Sequence, residues 1–427
     1  MPRATRPPNI VRSFLYACLL VPGLSMAAAP ELDRLTLSEA EALLQANNRE
    51  LRLAQAATLG AQADVASAGA HPNPQLSLNV AALQPGKPGA SAPWDKKADF
   101  TYRVDQLVER GDKRLLRTRA AEARLAAARS DQGDVSRQQR LQMRQAYYDL
   151  LRTQERTRIL AETADLYRKN VEAAALRVKA GDLAASDLAR LKVEALRAEN
   201  EARQALADQE KAQAALAYMI GLESEAKRLR AVDSWPSLAE TPGPESDIEQ
   251  RADVKAALAR VQAAEQARAL ALSLRKRDVS VGVQYEHCRA PSCSPPTDTV
   301  GVGLSVPLFV FYDYEGEVRR AEADLDAARD ALDQVRGQAR AERLRAASDL
   351  SAAQEQVRRF EGGLLREAER GVQATEFAYQ RGAVGLVDLL DARRTLRAVQ
   401  LDAVDAQAGY AKALAAYQAS HAPEEQQ

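Results

Sequence analysis

Residues that could carry chemistry are few in this chain, and they are scattered. Its three histidines, His71, His287 and His421, follow no metal-ligand spacing, and the sequence has no glycine-rich phosphate loop. No serine or cysteine is placed with a base in a nucleophilic pattern. The sequence therefore predicts a protein that is not an enzyme and that has no catalytic residue, no cofactor site and no metal site.

Cys288 and Cys293 lie close together in the stretch HCRAPSCS and could react with each other. In an oxidising compartment, cysteines at this separation favour a disulfide. Metal capture by the two thiols together with His287 is the alternative. The choice between them depends on where the chain resides.

The N-terminal segment indicates export. Three arginines precede an apolar run at 14–24, and small residues follow around Ala27. This pattern predicts a signal peptide at 1–27, with cleavage after Ala27 or Ala28. Cys18 lies within the run, which leaves lipid attachment open as an alternative. No other stretch approaches the roughly 20 apolar residues of a membrane helix.

Acidic residues recur at matching places in two stretches that are nearly the same. AGDLAASDLARLKVEAL at 180–196 is echoed by RGAVGLVDLLDARRTL at 381–396. One constant offset carries Gly181 onto Gly382 and Asp187 onto Asp388. The repeat is far longer than the unit of a solenoid, so the sequence indicates two copies of a whole subdomain.

Composition and charge favour long helices and exclude nucleic acid as a partner. Basic and acidic residues both total 59, and aromatic residues make up only 5% of the chain. No proline interrupts 111–180, which as one helix would be about 105 Å long. The stretch 316–381 has the same character. Each long helix is expected to turn at the echoed glycine and to return, over 187–221 and over 388–419, as a helical hairpin.

Four short segments have the alternating period of strands. Apolar residues in them alternate with polar residues, so each strand has one apolar and one polar face. Each is about ten residues long, the length of a tilted strand that crosses a bilayer. The apolar positions are Leu76, Leu78 and Val80; Phe100, Tyr102 and Val104; Val279, Val281, Val283 and Tyr285; and Val300, Val302, Leu304 and Val306.

These strands cannot form a closed structure within one chain. The neighbouring helices offer no globular core for a four-stranded sheet, and four strands leave two open edges. We therefore expect other copies of the chain to close the sheet in a membrane, with loops 85–93 and 291–296 facing outside. Aromatic residues that follow the last strand suit a membrane interface: Phe309, Phe311, Tyr312 and Tyr314. A pair of soluble hairpins is the alternative.

The order of these elements predicts two structural repeats. The first, at 28–232, contains a helix, a β-hairpin at about 75–108 and a helical hairpin with its tip near 181–187. The second, at 247–420, repeats that order with a β-hairpin at about 278–308 and a tip near 382–388. A linker at 233–246 joins them, and 421–427 is expected to be a flexible tail.

Taken together, these features resemble the TolC-like outer-membrane efflux channels. The resemblance rests on the signal peptide, TLSEAEALLQANNREL at 36–51, AGAHPNPQLSL at 68–78, the four strands and the two hairpin tips. It implies a mainly α fold with a small β part. Three chains would form a homotrimer with a twelve-stranded transmembrane barrel, and the helical hairpins would form a tunnel across the periplasm.

The resemblance also implies a function and its partners. The chain would be the outer-membrane channel subunit of a tripartite efflux system in a Gram-negative bacterium. It would contact outer-membrane lipid, a periplasmic adaptor of the membrane fusion type and an inner-membrane pump of the RND type. The stretch 108–129 is similar to the branch that serves heavy-metal cation pumps, so such cations are the expected cargo. A soluble periplasmic coiled-coil scaffold or adaptor is the alternative function.

Site residues are implied by the same resemblance, at both hairpin tips. The adaptor contact would consist of Gly181 and Leu183 in the first copy and of Gly382, Val384, Gly385 and Leu386 in the second. The first copy departs from the family's valine-glycine-leucine pattern at this place. The aperture gate would consist of Asp187, Tyr379, Asp388 and Asp391. Some family members have an arginine where this chain has Val384, which predicts a gate that is less tightly held shut.

Overall fold

A computed structural model of the chain describes residues 32–81, 99–238, 247–288, 293, 295 and 297–421. The predicted signal peptide, both predicted outer loops apart from residues 293 and 295, and most of the expected linker lie outside the described residues. So do residues 422–427 of the expected tail. Residue His421 is not part of a free tail, because it is buried at the end of a helix and stacks on Tyr417.

Helices dominate the described chain, and strands form a small part of it, which confirms the predicted fold class. In the first half, the continuous helix expected after Gly111 is present and is 68 residues long. The elements of this half are α1 (Leu37–Asn47), α2 (Arg49–Gly69), β1 (Gln75–Ala81), β2 (Asp99–Val108), α3 (Lys113–Ala180) and α4 (Ala185–Ile220).

The second half repeats this order of elements with one difference. Its single helix before the strands corresponds to α2, and its last helices form the second helical hairpin. The elements are α5 (Ala252–Ser273), β3 (Val279–Cys288), β4 (Thr297–Ser305), α6 (Glu315–Arg359), α7 (Leu365–Gln380) and α8 (Leu386–His421).

The long helix expected over 316–381 is interrupted, so this part of the prediction is wrong. Between α6 and α7 the residues Phe360–Leu364 form one wider turn of the π type. Gly363 has a φ of 143°, which a residue with a Cβ atom rarely adopts. The adjacent glycines Gly362 and Gly363 permit the interruption, and the corresponding part of α3 contains no such pair.

All four strands form one antiparallel sheet in the order β1-β2-β3-β4. The central pair joins the two halves of the chain, since Tyr102 of β2 lies opposite Tyr285 of β3. The register aligns apolar residues across all four strands. One such row consists of Leu78, Tyr102, Tyr285 and Val300. The two predicted hairpins are therefore halves of a single sheet.

A tight junction leads from β2 into α3. Gly111 and Asp112 both have positive φ angles, of 76° and 58°. A Cβ atom at Gly111 would lie 2.6 Å from Cδ of Lys276, so a larger residue here would have to displace this lysine side chain as well as adopt a positive φ. Lys113, which is buried, places its Nζ 2.7 Å from Oδ1 of Asp278 just before β3. This ion pair connects the start of the first long helix to the second half of the sheet.

The main core lies where the long helices pass α1 and the start of the expected linker. Tyr147 is fully buried there, and its hydroxyl donates to Oδ2 of Asp233 at 2.8 Å. The same carboxylate oxygen accepts the Leu37 N–H. Burial, together with the adjacent carboxylate of Asp233, raises the pKa of Tyr147. Gln154 bonds both backbone groups of Ala231, so residues 231–233 are held against α3.

Gly363→Ala should lower the free energy of unfolding by roughly 1–2 kcal/mol. The reason is that alanine would be strained at a φ of 143°. Gly337→Ala is the matched control, since Gly337 lies exposed within α6 and a Cβ atom there meets open space. That control should stabilise by about 0.5–1 kcal/mol. Thermal unfolding of the purified protein in detergent, followed by circular dichroism, measures both shifts. A rise in unfolding temperature for both variants would mean that the interruption needs no glycine.

Candidate functional site

One face of the sheet is apolar and exposed to an unusual degree. Leu76 on β1 is 73% exposed and Val302 on β4 is 79% exposed. A soluble protein would bury such a row against a core, whereas a bilayer is a suitable environment for it. The other exposed apolar residues of this face are Leu78, Val80, Tyr102, Val104, Val281, Val283, Tyr285, Val300 and Leu304.

The opposite face of the sheet carries polar residues and glycine. Arg103 and Asp105 of β2 lie on it and form an ion pair of 2.7 Å. Gln284 of β3 is opposite Arg103, and Gly301 of β4 is opposite Gln284. A sheet with one apolar and one polar face matches the alternation of outer-membrane strands. No helix in the described part of the chain is long and apolar enough to cross a membrane.

Aromatic residues lie at both ends of the apolar face. Tyr102 and Tyr285 are in contact near the end that is distant from the helices, with ring centroids 6.3 Å apart. At the helical end, Phe309 packs edge-on against Tyr314 with centroids 5.2 Å apart. Phe311 is fully exposed in the same segment. Aromatic residues at two levels are typical of the two interfaces of a membrane.

Cys288, at the distant end of β3, is joined to Cys293 by a disulfide. Its neighbour His287 does not form a metal site with these cysteines, because their two sulfur atoms are bonded to each other and supply no thiolate ligand. Nδ1 of His287 lies 2.5 Å from Oδ1 of Asp298. Among the described residues, no group of three or more His, Cys, Asp or Glu side chains is arranged to hold a metal ion.

The two hairpin tips have the same backbone geometry. Gly181 and Gly382 both adopt left-handed conformations, with φ angles of 84° and 72°. In each tip the glycine N–H and the following N–H bond back to the last turn of the preceding helix. This is the usual way in which glycine ends a helix. The echo in the sequence therefore encodes the same helix end twice.

The candidate gate residues occupy different environments. Asp388 accepts the Gly385 N–H at 3.0 Å and so caps the start of α8. Asp391, three residues further along α8, is exposed. Asp187 lies in the first turn of α4, where Oδ1 is 3.8 Å from Arg190. Tyr379 is partly buried against a small apolar cluster. Asp187 and Asp388 thus lie in the first turns of their helices, where the helix dipole favours negative charge.

Leu386 does not fit its expected role as a surface contact. It is only 8% exposed and packs with Leu390 against Tyr167 and the first helical hairpin. Leu183 of the first tip packs partly against the same cluster. The side chain that α8 exposes at this place is Val387, at 55%, which sequence reasoning missed. A short apolar run at a helix start does not reveal which residue faces inward.

A second feature missed from the sequence is a set of ion pairs between helices above the tips. Glu194 of α4, whose side chain is 8% exposed, accepts a 2.5 Å bond from Arg394 of α8. The Arg394 guanidinium lowers the pKa of Glu194. Arg397 pairs with Glu201 in the same way at 2.9 Å. These contacts connect the two helical hairpins, and no spacing within the sequence specifies them.

Comparisons with known proteins agree with these observations. The model of the outer membrane efflux protein family matches residues 42–222 and 244–420. The chain is 25% identical over 367 residues to the cobalt-zinc-cadmium resistance protein CzcC of Cupriavidus metallidurans, covering 85% of this chain and 84% of that protein.

Solved structures share the fold. The CmeC outer membrane channel of Campylobacter jejuni matches with a TM-score of 0.78 at 16% identity, covering 91% of this chain and 87% of that one. The outer membrane protein VceC of Vibrio cholerae matches with a TM-score of 0.72 at 21% identity, covering 91% and 97%.

Glu194→Gln should destabilise the contact between the hairpins by about 1–2 kcal/mol at neutral pH, because half of an ion pair would be lost and Arg394 is partly screened by solvent. Since the pKa of Glu194 is lowered in the folded state, this contribution is present above the usual value of 4.5 and is lost as the pH falls through the lowered value. The gap between wild type and variant should therefore shrink in acid.

Unfolding by urea at several pH values measures this gap. Glu367→Gln is the matched control, because the Glu367–Arg370 pair is mostly exposed and should contribute little. Equal losses from the two variants would contradict a special role for the buried carboxylate.

Proposed function

The chain belongs to the outer membrane efflux protein family, and from that premise we propose that three copies form the outer-membrane channel of a tripartite efflux system for heavy-metal cations. The family consists of channel proteins of the outer membrane of Gram-negative bacteria, not of enzymes. Assembly as a trimer, the cargo, the partners and the residues that act are the parts that we propose.

The observation that carries the proposal is the exposed apolar face on a sheet whose edges are open. In the described chain, β1 and β4 are edge strands, and their unpaired backbone groups need partners in a membrane. The smallest barrels have about eight strands, so four strands cannot close into a barrel. A symmetric trimer would pair β4 of one chain with β1 of the next and close a barrel of twelve strands. The exposed apolar residues would then face lipid.

The cargo is inferred from the relative CzcC, which is named for resistance to cobalt, zinc and cadmium. Divalent cations would pass through the tunnel after release from an inner-membrane pump, for which we propose the RND type. Carboxylates at the narrow end would favour this cargo over anions. This supports the assignment of Asp388 and Asp391, both exposed near the start of α8, as the aperture gate. Asp187 and Tyr379 are proposed as the neighbouring gate residues.

Docking of a periplasmic adaptor is proposed at the hairpin tips. Gly181, Gly382 and Gly385 are exposed there, and Val384 is partly exposed. Exposed backbone beside glycine allows a partner to approach closely. Val387 adds an exposed apolar side chain next to them. Leu183 and Leu386 would support this surface from beneath, because both pack in the apolar cluster around Tyr167.

Gly385→Asp tests this function. Aspartate suits the N-cap of α8, so the fold should persist while a charge is placed on the docking surface. In a strain that lacks the native protein, we expect this variant to reach the outer membrane as a trimer. Its resistance to cobalt, zinc and cadmium should nevertheless fall to the level of the strain without the protein. Growth assays and membrane fractionation measure the two properties separately.

Gly337→Asp is the control, because it makes the same change on the exposed side of α6 far from the tip, and it should retain resistance. Normal resistance in the Gly385→Asp strain would remove the docking assignment. Recovery of wild type only in the soluble periplasmic fraction would instead indicate the coiled-coil scaffold.

Asp388→Asn together with Asp391→Asn tests the gate. Asparagine at 388 keeps an acceptor for the Gly385 N–H, so the cap remains while six carboxylates are lost from the proposed trimer. The ratio of cation to anion permeability should fall several-fold at low salt, because like charges concentrate counterions at a constriction. Reversal potentials in planar bilayers measure this ratio. Asp182→Asn, at the first tip, should leave the ratio unchanged, and a fall of equal size there would refute the assignment.

A further inference from the structure

Three glycines form a shallow trough on the polar face of the sheet. Gly282 of β3 lies opposite both Asp105 of β2 and Gly303 of β4. Gly301 lies two residues before Gly303 on the same face of β4. Glycine within a strand often marks a place where another group approaches the backbone closely. The group in this trough is the side chain of Arg103.

The Arg103 guanidinium lies flat across the trough. Its Nε is 2.7 Å from Oδ2 of Asp105, and its Nη2 is 2.8 Å from Oδ1 of the same carboxylate. A Cβ atom at Gly303 would lie 3.0 Å from Nη2, so the side chain reaches from β2 across β3 to β4. Nη1 also lies 3.4 Å from Oε1 of Gln284. The guanidinium is therefore held along the wall and does not project from it.

The trough is tightest at Gly282. A Cβ atom at Gly282 would overlap the Asp105 carboxylate and would lie 2.8 Å from Nη2 of Arg103. One at Gly301 would meet only the side chain of Gln284, at 3.2 Å. The row that contains Gly282 and Gly303 is thus shaped around the ion pair. Because glycine weakens a strand, stability of the sheet alone does not account for this arrangement.

We propose that Asp105 pairs with Arg103, so that the pair carries no net charge, and that the glycine trough holds the guanidinium out of the channel, so that the barrel interior passes cations. This inference rests on the proposed function, in which the polar face lines the barrel. Three copies would place three guanidinium groups at one level of the lumen. Unpaired, such a ring would repel cations coming from the tunnel. Paired and flat, it leaves the bore both wide and without net charge at that level.

Charge substitutions test the electrostatic part. Asp105→Asn frees the guanidinium and should lower the ratio of cation to anion permeability about fourfold at roughly 0.1 M salt, because three charges at about 10 Å change the cation and anion concentrations about twofold each, in opposite directions. Arg103→Gln should raise the ratio by a similar factor, and the double variant should return it to the wild-type value. All differences should vanish at about 1 M salt, where screening extends over only about 3 Å. Reversal potentials of purified trimers in planar bilayers measure these ratios.

A steric substitution tests the trough with the charges unchanged. Gly282→Ala should push the ion pair into the lumen and lower the single-channel conductance, while the permeability ratio stays at its wild-type value. Gly301→Ala is the matched control on the same face, and its conductance should remain close to that of wild type because only Gln284 has to move. Equal falls in conductance from both variants would overturn the assigned role of the trough.

The remaining outcomes separate this inference from the proposed function. If trimers of Asp105→Asn and of Arg103→Gln both keep the wild-type permeability ratio at low salt, the ion pair is only structural and the inference is wrong. A wild-type protein that forms no channel would refute the proposed function itself. Trimer content on unheated gels, measured for each variant, identifies the variants that fail to assemble. Arg103→Lys provides a further test, because it retains the positive charge and its permeability ratio should match that of wild type.

Discussion

Unpaired backbone groups at the edges of β1 and β4 are the constraint on which the rest of the molecule depends. Each edge carries N–H and C=O groups that need hydrogen-bond partners, and lipid supplies none. The apolar face of the same sheet cannot be covered by the chain's own helices, since these continue away from the strands. Both requirements are met together when copies of the chain complete the sheet as a closed barrel. In the proposed trimer, the fold of one chain is therefore only a part of the final structure.

The helices transmit this arrangement from the sheet to the distant tips. At the junction after β2, the close approach of Gly111 to Lys276 and the ion pair between Lys113 and Asp278 set the direction in which α3 leaves. Midway, the buried Tyr147 and its hydrogen bond to Asp233 connect α3 to the segment that joins the two halves. Near the tips, Arg394 and Glu194 connect the two hairpins. Each level thus uses a polar contact to fix a relation that small apolar side chains alone would leave free to slide.

The sequence predicted local geometry well and contacts between distant residues poorly. Alternation of apolar residues located the strands because the period of two depends on the strand itself. The glycines at 181 and 382 located the tips because a left-handed helix end favours glycine wherever it occurs. Burial of Leu386 and exposure of Val387 depend on which face of α8 meets the first hairpin, and the partner of Glu194 lies 200 positions away. The interruption at Gly363 could not be predicted from the absence of proline, because glycine can either continue a helix or adopt a conformation outside it. The local sequence does not decide between the two.

That interruption makes the two hairpins mechanically unequal. A continuous helix such as α3 behaves as a rod whose bending is spread over its whole length, whereas the single wide turn between α6 and α7 concentrates bending at one point. A lateral force on the second tip would bend the hairpin mainly at this turn, about twenty residues from the tip. The same force on the first tip would bend α3 slightly along its whole length. Duplication produced two helical hairpins of similar length, and the glycine pair at 362 and 363 gave the second hairpin a single point at which it can bend.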